Sequence, residues 1–456
     1  MNFRTAVKKI VPIGLFREIE PYGHWAEAIL WNAKSGFPSR GLKVIGVTGT
    51  DGKTTTCTLI TQMLRKSGYK VAMVTTISID IGDGNVQPNP TRLTTMGSRS
   101  LVAKMQQIKN AGVDWVVLET TSHALAQHRV WGIPYSVAVM TNIGHEHLDY
   151  HRTFERYRDA KKMLFEQCNR NHKGLRVGVV NADDPSGKLF GEAVENPITY
   201  GTKGKGDLVA KDIKLSPAGS EYTVDIAKDT YHIVCNLPGS FNVYNSLAVI
   251  GVGRALGLTP KQIEEGIASL KSVEGRMTRV DEGQDFSVIV DYAHTPESFD
   301  KVINELRPLV KGRLFVVFGS AGRRDEEKRA RQGEIAGRDG DIVIVTEEDD
   351  RDIDGEEILR QIADGAKREG KVEGRNLFMV HDRKEAVHVA VDMAKKDDMI
   401  LLLGKGHEKS ILSNGPQAAE LRHLQQDDTD PRRVVKYAYD EVTVAREALH
   451  ERFDKK

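Results

Sequence analysis

The stretch from Gly46 to Thr56 reads GVTGTDGKTTT, three glycines, a lysine and a cluster of threonines between the apolar run LKVI and the apolar stretch that begins at Cys57. The pattern predicts a strand, a tight glycine turn and a helix, which aims backbone N–H groups and the positive end of the helix at an anion such as a nucleotide phosphate. Lys53 then neutralises phosphate charge, and Thr54 offers its hydroxyl to a magnesium ion. The ordinary phosphate-loop spacing also wants glycine at 47, where this chain has Val47, so the loop is a variant.

Other candidate chemistry follows strand-like runs. Glu119 closes VVLE, where a carboxylate could hold magnesium opposite the loop, although a helix cap or a surface acid has the same look. The segment TNIGHEHLDYH carries His145, His147 and His151, and the last two have the i, i+4 spacing of a zinc pair. No cysteine or second ligand pair accompanies them, and a glycine-lysine loop argues for magnesium over zinc. Downstream, Phe154, Tyr157, Lys161, Leu164 and Phe165 recur at helical spacing, so Lys161 falls on an apolar stripe. There it either snorkels to solvent or is buried with a lowered pKa, as a neutral amine able to take up carbon dioxide and become a metal-binding carbamate. Periodicity does not choose between the two.

These residues need a scaffold, and 456 residues exceed a single hydrophobic core. Short apolar strands alternate with helical stretches twice, which predicts an α/β protein with two sheets. Residues 43–275 read as a P-loop-type ATPase domain with a parallel sheet plus a small antiparallel sheet made by DLVAKDIKLS, EYTVDIA and YHIVCNL. Residues 276–456 read as a Rossmann-like α/β domain whose strands run into polar residues at their carboxyl ends, where ligands sit in open parallel sheets. Residues 1–42 are too few for a core of their own and are expected to dock on the body or on a partner chain. A net charge of +1 supplies no field for nucleic acid, and no apolar run is long enough for a membrane span. Cys57, Cys168 and Cys235 have neither disulfide nor zinc spacing, which suits a reducing cytoplasm.

The motifs GVTGTDGKTTT, LTT, ETTSHALAQHR, TNIGHEHLDYH, LPGSFNVYNSLA, GRM, DYAHTPES, FGSAGRRDEEKR, DDR and GKGHE follow one another from Gly46 to Glu408. In that order they resemble the Mur ligases, ATP-dependent amide-bond-forming enzymes of peptidoglycan synthesis, in their tripeptide-synthetase (MurE-type) branch. The resemblance implies that Gly49, Thr50, Asp51, Gly52, Lys53, Thr54 and Thr55 cradle ATP, with Asn245 at the adenine and Arg276 and Asp291 on the linker and ribose side. It implies catalytic roles for Lys53, Glu119, His147 and Lys161, and two magnesium ions held by Thr54, Glu119, His147 and a carbamylated Lys161. Thr94, Thr95, Thr121, Gln127 and Arg129 match the acceptor site, although unaided the threonine pairs look like helix caps. Arg324, Asp349, Arg351, Gly404 and Glu408 match the site of the incoming amino acid.

The implied reaction adds a diamino acid to a UDP-N-acetylmuramoyl-L-alanyl-D-glutamate-like acceptor through an acyl-phosphate, with the C-terminal domain closing over ATP. Two departures stand out. Glu348, Asp349, Asp350 and Arg351 occupy the positions of the D-N-P-R motif of synthetases that use meso-diaminopimelate. The retained arginine can grip a distal carboxylate, while the added negative charge opposes it, so meso-diaminopimelate ranks first and L-lysine second. The family's uracil-binding front domain has only about 42 residues to match it here, which leaves the nucleotide end to a partner chain or points to an acceptor without UDP. Asp51, where many relatives carry asparagine, is a milder change. A family ligase acting on a different carboxylate is the rival reading, ahead of a non-catalytic ATP-binding protein and a phosphotransferase.

Overall fold

Runs rich in valine and isoleucine pair into sheets because branched side chains pack well on both faces of a buried parallel array. The computed structural model describes residues 13–89, 94–323, 326–413 and 434–454. They group into two compact units, one of Met1–Lys214, Ser220–Cys235 and Phe241–Leu270, the other of Leu215–Gly219, Asn236–Ser240 and Lys271–Lys456.

The strands of the first unit are β1 Val44–Thr48, β2 Val71–Val74, β3 Ser78–Asp80, β4 Gln87–Pro88, β5 Trp115–Glu119, β6 Tyr135–Met140, β7 Val177–Asn181, β8 Asn196–Gly201, β9 Leu208–Ser216, β10 Gly219–Ile226 and β11 Asp229–Cys235. Among the described residues they form one eleven-stranded sheet in the order β11-β10-β9-β8-β7-β6-β1-β5-β2-β3-β4. The strands expected as a separate antiparallel sheet instead continue the main one. β9 pairs in parallel with the outer edge of β8, Tyr200 against Leu208 and Gly201 against Val209, and so satisfies backbone groups that an open edge would leave unpaired.

β1 runs between β5 and β6, with Val47 opposite Glu119 and Thr48 opposite Met140. That register sets the turn after β1 level with the carboxyl ends of both neighbours. The helices that matter here are α1 Ile13–Lys34, α2 Lys53–Lys66, α3 Ser122–Ala126, α4 Phe154–Asn169 and α5 Phe241–Ala255. α1 docks on the body of its unit: Asn32 Nδ2 donates to the Trp131 carbonyl at 3.2 Å, and the Arg99 guanidinium lies 4.8 Å from the centre of the Trp31 ring. α4 starts at Thr153, whose side chain accepts from the Arg156 N–H, and buries Tyr157, Ala160, Lys161, Leu164, Phe165 and Cys168.

In the second unit β12 Thr278–Val280, β13 Ser287–Asp291, β14 Leu314–Phe318, β15 Ile342–Val345, β16 Leu377–Met379 and β17 Met399–Leu403 form, among the described residues, a six-stranded sheet in the order β12-β13-β17-β14-β15-β16. All its pairings are parallel except β12 with β13. β18 Ser410–Ser413 and β19 Val435–Ala438 make an antiparallel pair, and the helices include α6 Glu327–Asp339, α7 Gly355–Arg368, α8 Arg383–Met393 and α9 Glu441–Asp454. Asp291 closes β13, residues 346–351 follow β15 and Gly404–Glu408 follow β17, so the polar segments gather at the carboxyl edge of this sheet. Among the described residues no helix is long and apolar enough to cross a membrane.

Candidate functional site

The turn between β1 and α2 is built around two glycines. Gly49 has φ +149°, and a Cβ there would fall 1.8 Å from Thr141 Oγ1. Gly52 has φ +78°, and a Cβ there would fall 2.3 Å from Asn245 Oδ1. Neither position accommodates a side chain, and both have positive φ, so only glycine lets the chain turn this tightly against Thr141 and Asn245. Gly52 caps α2 without a side-chain hydrogen bond, leaving the first N–H groups of the helix pointing out of its positive end.

The rest of the loop is tied down from β6 and α4. Thr50 N–H donates to the Asn142 carbonyl at 2.8 Å, Asp51 N–H donates to Asn142 Oδ1 at 3.0 Å, and Thr141 Oγ1 donates to the Asp51 carbonyl at 2.6 Å. Thr50 Oγ1 accepts from the Gly144 N–H at 2.8 Å and meets the Tyr157 hydroxyl at 2.9 Å. Lys53 Nζ folds back on the Thr50 carbonyl at 2.7 Å, parked beside the turn. Asn245 reaches the same turn from α5, accepting from Thr56 Oγ1 at 3.2 Å.

Glu119 is buried at the end of β5 and accepts from Thr54 Oγ1, the Thr76 N–H and Thr76 Oγ1, each at 2.9 Å. Thr54 and Glu119, predicted as magnesium donors, are therefore adjacent. Lys161 does not snorkel. It is 2% exposed, its Nζ donates to the Gly49 carbonyl at 2.6 Å, and it lies 4.6 Å from the centre of the Tyr157 ring. Burial pushes its amine well below the usual lysine range, and the charge of Lys53 pushes the same way against Glu146, Asp51 and Glu119.

His147 occupies the exposed segment before α4, with its ring centre 4.7 Å from that of His123 and 6.1 Å from that of Tyr157. The three histidines of the zinc pattern do not converge: His145 lies against the Phe154 ring and His151 Nε2 pairs with Ser122 Oγ at 3.0 Å. Of the acceptor residues, Thr95 Oγ1 donates to the Glu119 carbonyl and meets Thr121 Oγ1, both at 3.1 Å, and Arg129 Nη1 donates to the Thr95 carbonyl. Thr121 is also the cap of α3 and Gln127 its last flank. Thr94 is half-buried one residue before this group.

In the second unit Asp291 is buried and accepts from the Met277 and Ala293 N–H groups, each at 2.8 Å, while the Arg276 guanidinium lies 5.2 Å from the centre of the Tyr292 ring. Asp349 Oδ1 accepts from Lys405 Nζ at 3.1 Å and from the Leu412 N–H at 2.9 Å, and Glu408 Oε2 accepts from the same Lys405 at 2.7 Å. Gly404 passes so close to Glu348 that a Cβ would sit 3.0 Å from Oε2, and burial pushes the Glu348 carboxyl up to about 7. Arg351 donates its backbone N–H to the Leu412 carbonyl at 2.8 Å. Arg324 lies outside the described residues.

Sequence reasoning passed over several residues that hold these groups. Thr76 binds both oxygens of Glu119, and its signal was only a threonine just past a strand. Lys405 is fully buried between Asp349 and Glu408, and its place inside GKGHE gives no local signal of that role. Arg383 is fully buried against Glu441, 2.9 Å from Nε to Oε2, and donates to the Glu347 and Leu403 carbonyls.

Residues 47–253 match the family model described as the Mur ligase middle domain, and residues 275–406 that of the Mur ligase glutamate ligase domain. UDP-N-acetylmuramoyl-L-alanyl-D-glutamate–2,6-diaminopimelate ligase 1 of Clostridium acetobutylicum is 38% identical over 407 residues, 89% of this chain and 81% of its own. The UDP-N-acetylmuramyl-tripeptide synthetase of Roseiflexus sp. is 39% identical over 413 residues, 88% of this chain and 81% of its own. A solved UDP-N-acetylmuramoyl-L-alanyl-D-glutamate–2,6-diaminopimelate ligase superposes with a TM-score of 0.65 at 28% identity, covering 90% of this chain and 79% of that one. With this likeness spread over both units, the chain belongs to the Mur ligase family.

Proposed function

We propose that this protein is an ATP-dependent, ADP-forming ligase of peptidoglycan synthesis that adds a diamino acid to a UDP-N-acetylmuramoyl-L-alanyl-D-glutamate acceptor. Relatives at 38–39% identity carry that activity in their names, with 2,6-diaminopimelate as the amino acid. ATP and Mg2+ are the nucleotide and metal of the family. The observation that carries the reading is the convergence of an uncapped, glycine-framed helix start, the Thr54–Glu119 pair and the buried Lys161 amine on one turn. That donor set fits a hard cation beside a triphosphate, because it offers oxygen ligands next to backbone N–H groups.

In the reaction, a carboxylate oxygen of the acceptor bonds to the γ-phosphorus of ATP as the bridging P–O bond breaks and ADP leaves. The amine nitrogen of the second substrate then bonds to the acyl carbon, phosphate departs with the electron pair, and the amine proton passes to solvent. Lys53, released from the Thr50 carbonyl, and the α2 N–H groups hold the transferring phosphate. Mg2+ held by Thr54 and Glu119 would offset repulsion between the two reacting anions. Thr95, Thr121, Gln127 and Arg129, with Thr94, orient the acceptor carboxylate, and Asn245 holds the adenine side.

Lys161 is assigned as a carbamate. Its neutral amine adds to carbon dioxide, forming the N–C bond as a C=O electron pair moves to oxygen and a proton leaves nitrogen. The product would keep an N–H for the Gly49 carbonyl and gain an anionic group that, together with the His147 imidazole, would hold a second Mg2+. Residues 43–275 thus serve ATP and acceptor, and 276–456 the amino acid through Asp349, Arg351, Gly404, Glu408 and Arg324, with Arg276 and Asp291 on the ribose side. Lys405 lies between Asp349 and Glu408 and offsets part of the negative charge there, and with the retained Arg351 this supports meso-diaminopimelate ahead of L-lysine. The nucleotide end of the acceptor is left to groups beyond this site, a partner chain among them. Three free cysteines, all buried, suit a cytoplasmic setting.

The test is ADP release by the purified protein with acceptor and amino acid supplied singly and together. Release only with both, and faster with meso-diaminopimelate than with lysine or ornithine, is expected. Release indifferent to either substrate would overturn the ligase reading, and equal rates on a UDP-free acceptor would transfer it to another carboxylate.

A further inference from the structure

In the second unit β15 and β16 end side by side, and the residues that follow them converge. The Glu347 N–H and Thr346 Oγ1 both donate to the His381 carbonyl at 3.1 Å, which holds the two chain segments together. One donor atom each from Glu347, Asp350 and His381 then lies within 4.8 Å of the others, and among the described residues this is the one such trio of histidine, cysteine or acid donors. His381 Nε2 is 2.8 Å from Asp350 Oδ2. Glu347 Oε1 accepts from the Tyr437 hydroxyl at 2.5 Å.

Two carboxylates face one imidazole in this trio. Both carboxylates are buried, Asp350 completely, and its Oδ1 has no hydrogen-bond partner. A buried acceptor without a donor is costly and calls for an explanation. Arg383 does not supply one, since it is committed to Glu441 and reaches Glu347 only at its backbone carbonyl. His381 is partly exposed, with 17% of its side chain open, which leaves a path from solvent. The start of α7 also crowds the place: a Cβ at Gly355 would fall 2.1 Å from His381 Nε2 and 2.5 Å from Asp350 Oδ2.

We propose that Glu347, Asp350 and His381 form a site for a divalent cation of the Zn2+ or Mn2+ class, separate from the Mg2+ donors of the first unit. One imidazole nitrogen with two carboxylates suits borderline Zn2+, and Mn2+ as an oxygen-preferring ion that still accepts an imidazole, better than Mg2+ or Ca2+, which prefer all-oxygen shells. Donors around a tetrahedral ion stand about 3.4 Å apart, so the 2.8 Å contact between His381 and Asp350 must open slightly while any spacing near 4.8 Å closes. On binding, His381 Nε2 releases its proton to solvent and gives up its bond to Asp350, and both oxygens of Asp350 become available to the ion. Water from the exposed side completes the shell. The ion would clamp the ends of β15 and β16 and fix the turn that carries Asp349 and Arg351. The site does not depend on the ligase reading.

The test uses the full chain, stripped with EDTA and returned to metal-free buffer containing millimolar Mg2+, then titrated calorimetrically with ZnCl2 and separately with MnCl2. Wild type is expected to take up one tight equivalent of at least one ion that both His381→Gln and Glu347→Gln lose or bind at least tenfold more weakly. The same ion should raise the thermal midpoint of wild type and not of the variants. Glutamine at 381 keeps a donor for Asp350, and glutamine at 347 keeps an acceptor for Tyr437, so both folds should persist. If one variant fails by circular dichroism, the other decides. Absence of the equivalent in wild type, or uptake unchanged in a folded variant, would overturn the proposal.

Discussion

The Lys161 amine and the Gly49 carbonyl lie 2.6 Å apart, which places an almost fully buried lysine directly beneath the phosphate-binding turn. A solvent-seeking lysine on a helix surface has no reason to point inward, and its burial is costly unless the group becomes neutral or acquires a function. Lys161→Ala leaves a cavity but also removes a buried amine whose desolvation is costly, so the fold is expected to persist with some loss of stability, while kcat falls by about a hundredfold or more. Short carboxylic acids added to the assay should restore part of that activity by standing in for the carbamate. Undiminished kcat in the variant would remove Lys161 from the mechanism, and loss without rescue would leave it a role as an amine.

Gly52 gives a second test. Alanine there must hold φ near +78° and clear an Asn245 oxygen 2.3 Å away. The backbone term alone is about 1–2 kcal/mol, and the displaced Asn245 would disturb the turn as well. Gly52→Ala should lower the thermal midpoint and weaken ATP binding together. Combining it with Asn245→Gly should return part of the stability, because the collision disappears while the φ strain stays. A double variant no better than the single one would place the whole cost in the backbone.

What the sequence made legible were features written locally. The glycine turn, the strands with polar carboxyl ends and the lysine on an apolar stripe each depend on residues within one or two elements, and all appear where expected. The continuous eleven-stranded sheet was not legible, because the β8–β9 pairing is an edge match between strands that each look self-sufficient. The partners of Asp349 were hidden for a similar reason. Lys405 lies 56 positions away, and nothing about a lysine between two glycines says which acid it will meet. Glu119 looked like a possible surface acid until the register of β1 and β5 placed it opposite Val47, within reach of Thr54 and Thr76.

The Arg383–Glu441 pair tests how the carboxyl edge of the second sheet is held. Both side chains are fully buried, and the guanidinium also binds the carbonyls that follow β15 and close β17. Arg383→Met should cost about 3–5 kcal/mol, because it strands a buried carboxylate along with those carbonyls. The midpoint of urea unfolding measured with a probe in the second unit reads this out. Adding Glu441→Met should recover much of the loss by removing the stranded charge. If the double variant is as weak as the single, the carbonyl contacts rather than the ion pair carry the stability.

His407 yields a prediction about pH. Its ring centre lies 4.7 Å from that of Tyr292, and burial with the charges of Arg276, Lys409 and Lys405, only partly opposed by Glu274, pushes its pKa from 6.5 down to about 4. Between those values the unfolded chain binds a proton that the folded chain refuses. The stabilisation is therefore fully present above pH 6.5 and is lost as pH falls toward 4, by up to about 3 kcal/mol. His294, also depressed by burial, adds in the same direction. Urea midpoints of wild type and His407→Gln measured from pH 4 to 7 should diverge in slope, with the variant flatter because glutamine takes up no proton. Equal slopes would mean that the ring titrates normally in the folded protein and that His407 is more open to solvent than its packing implies.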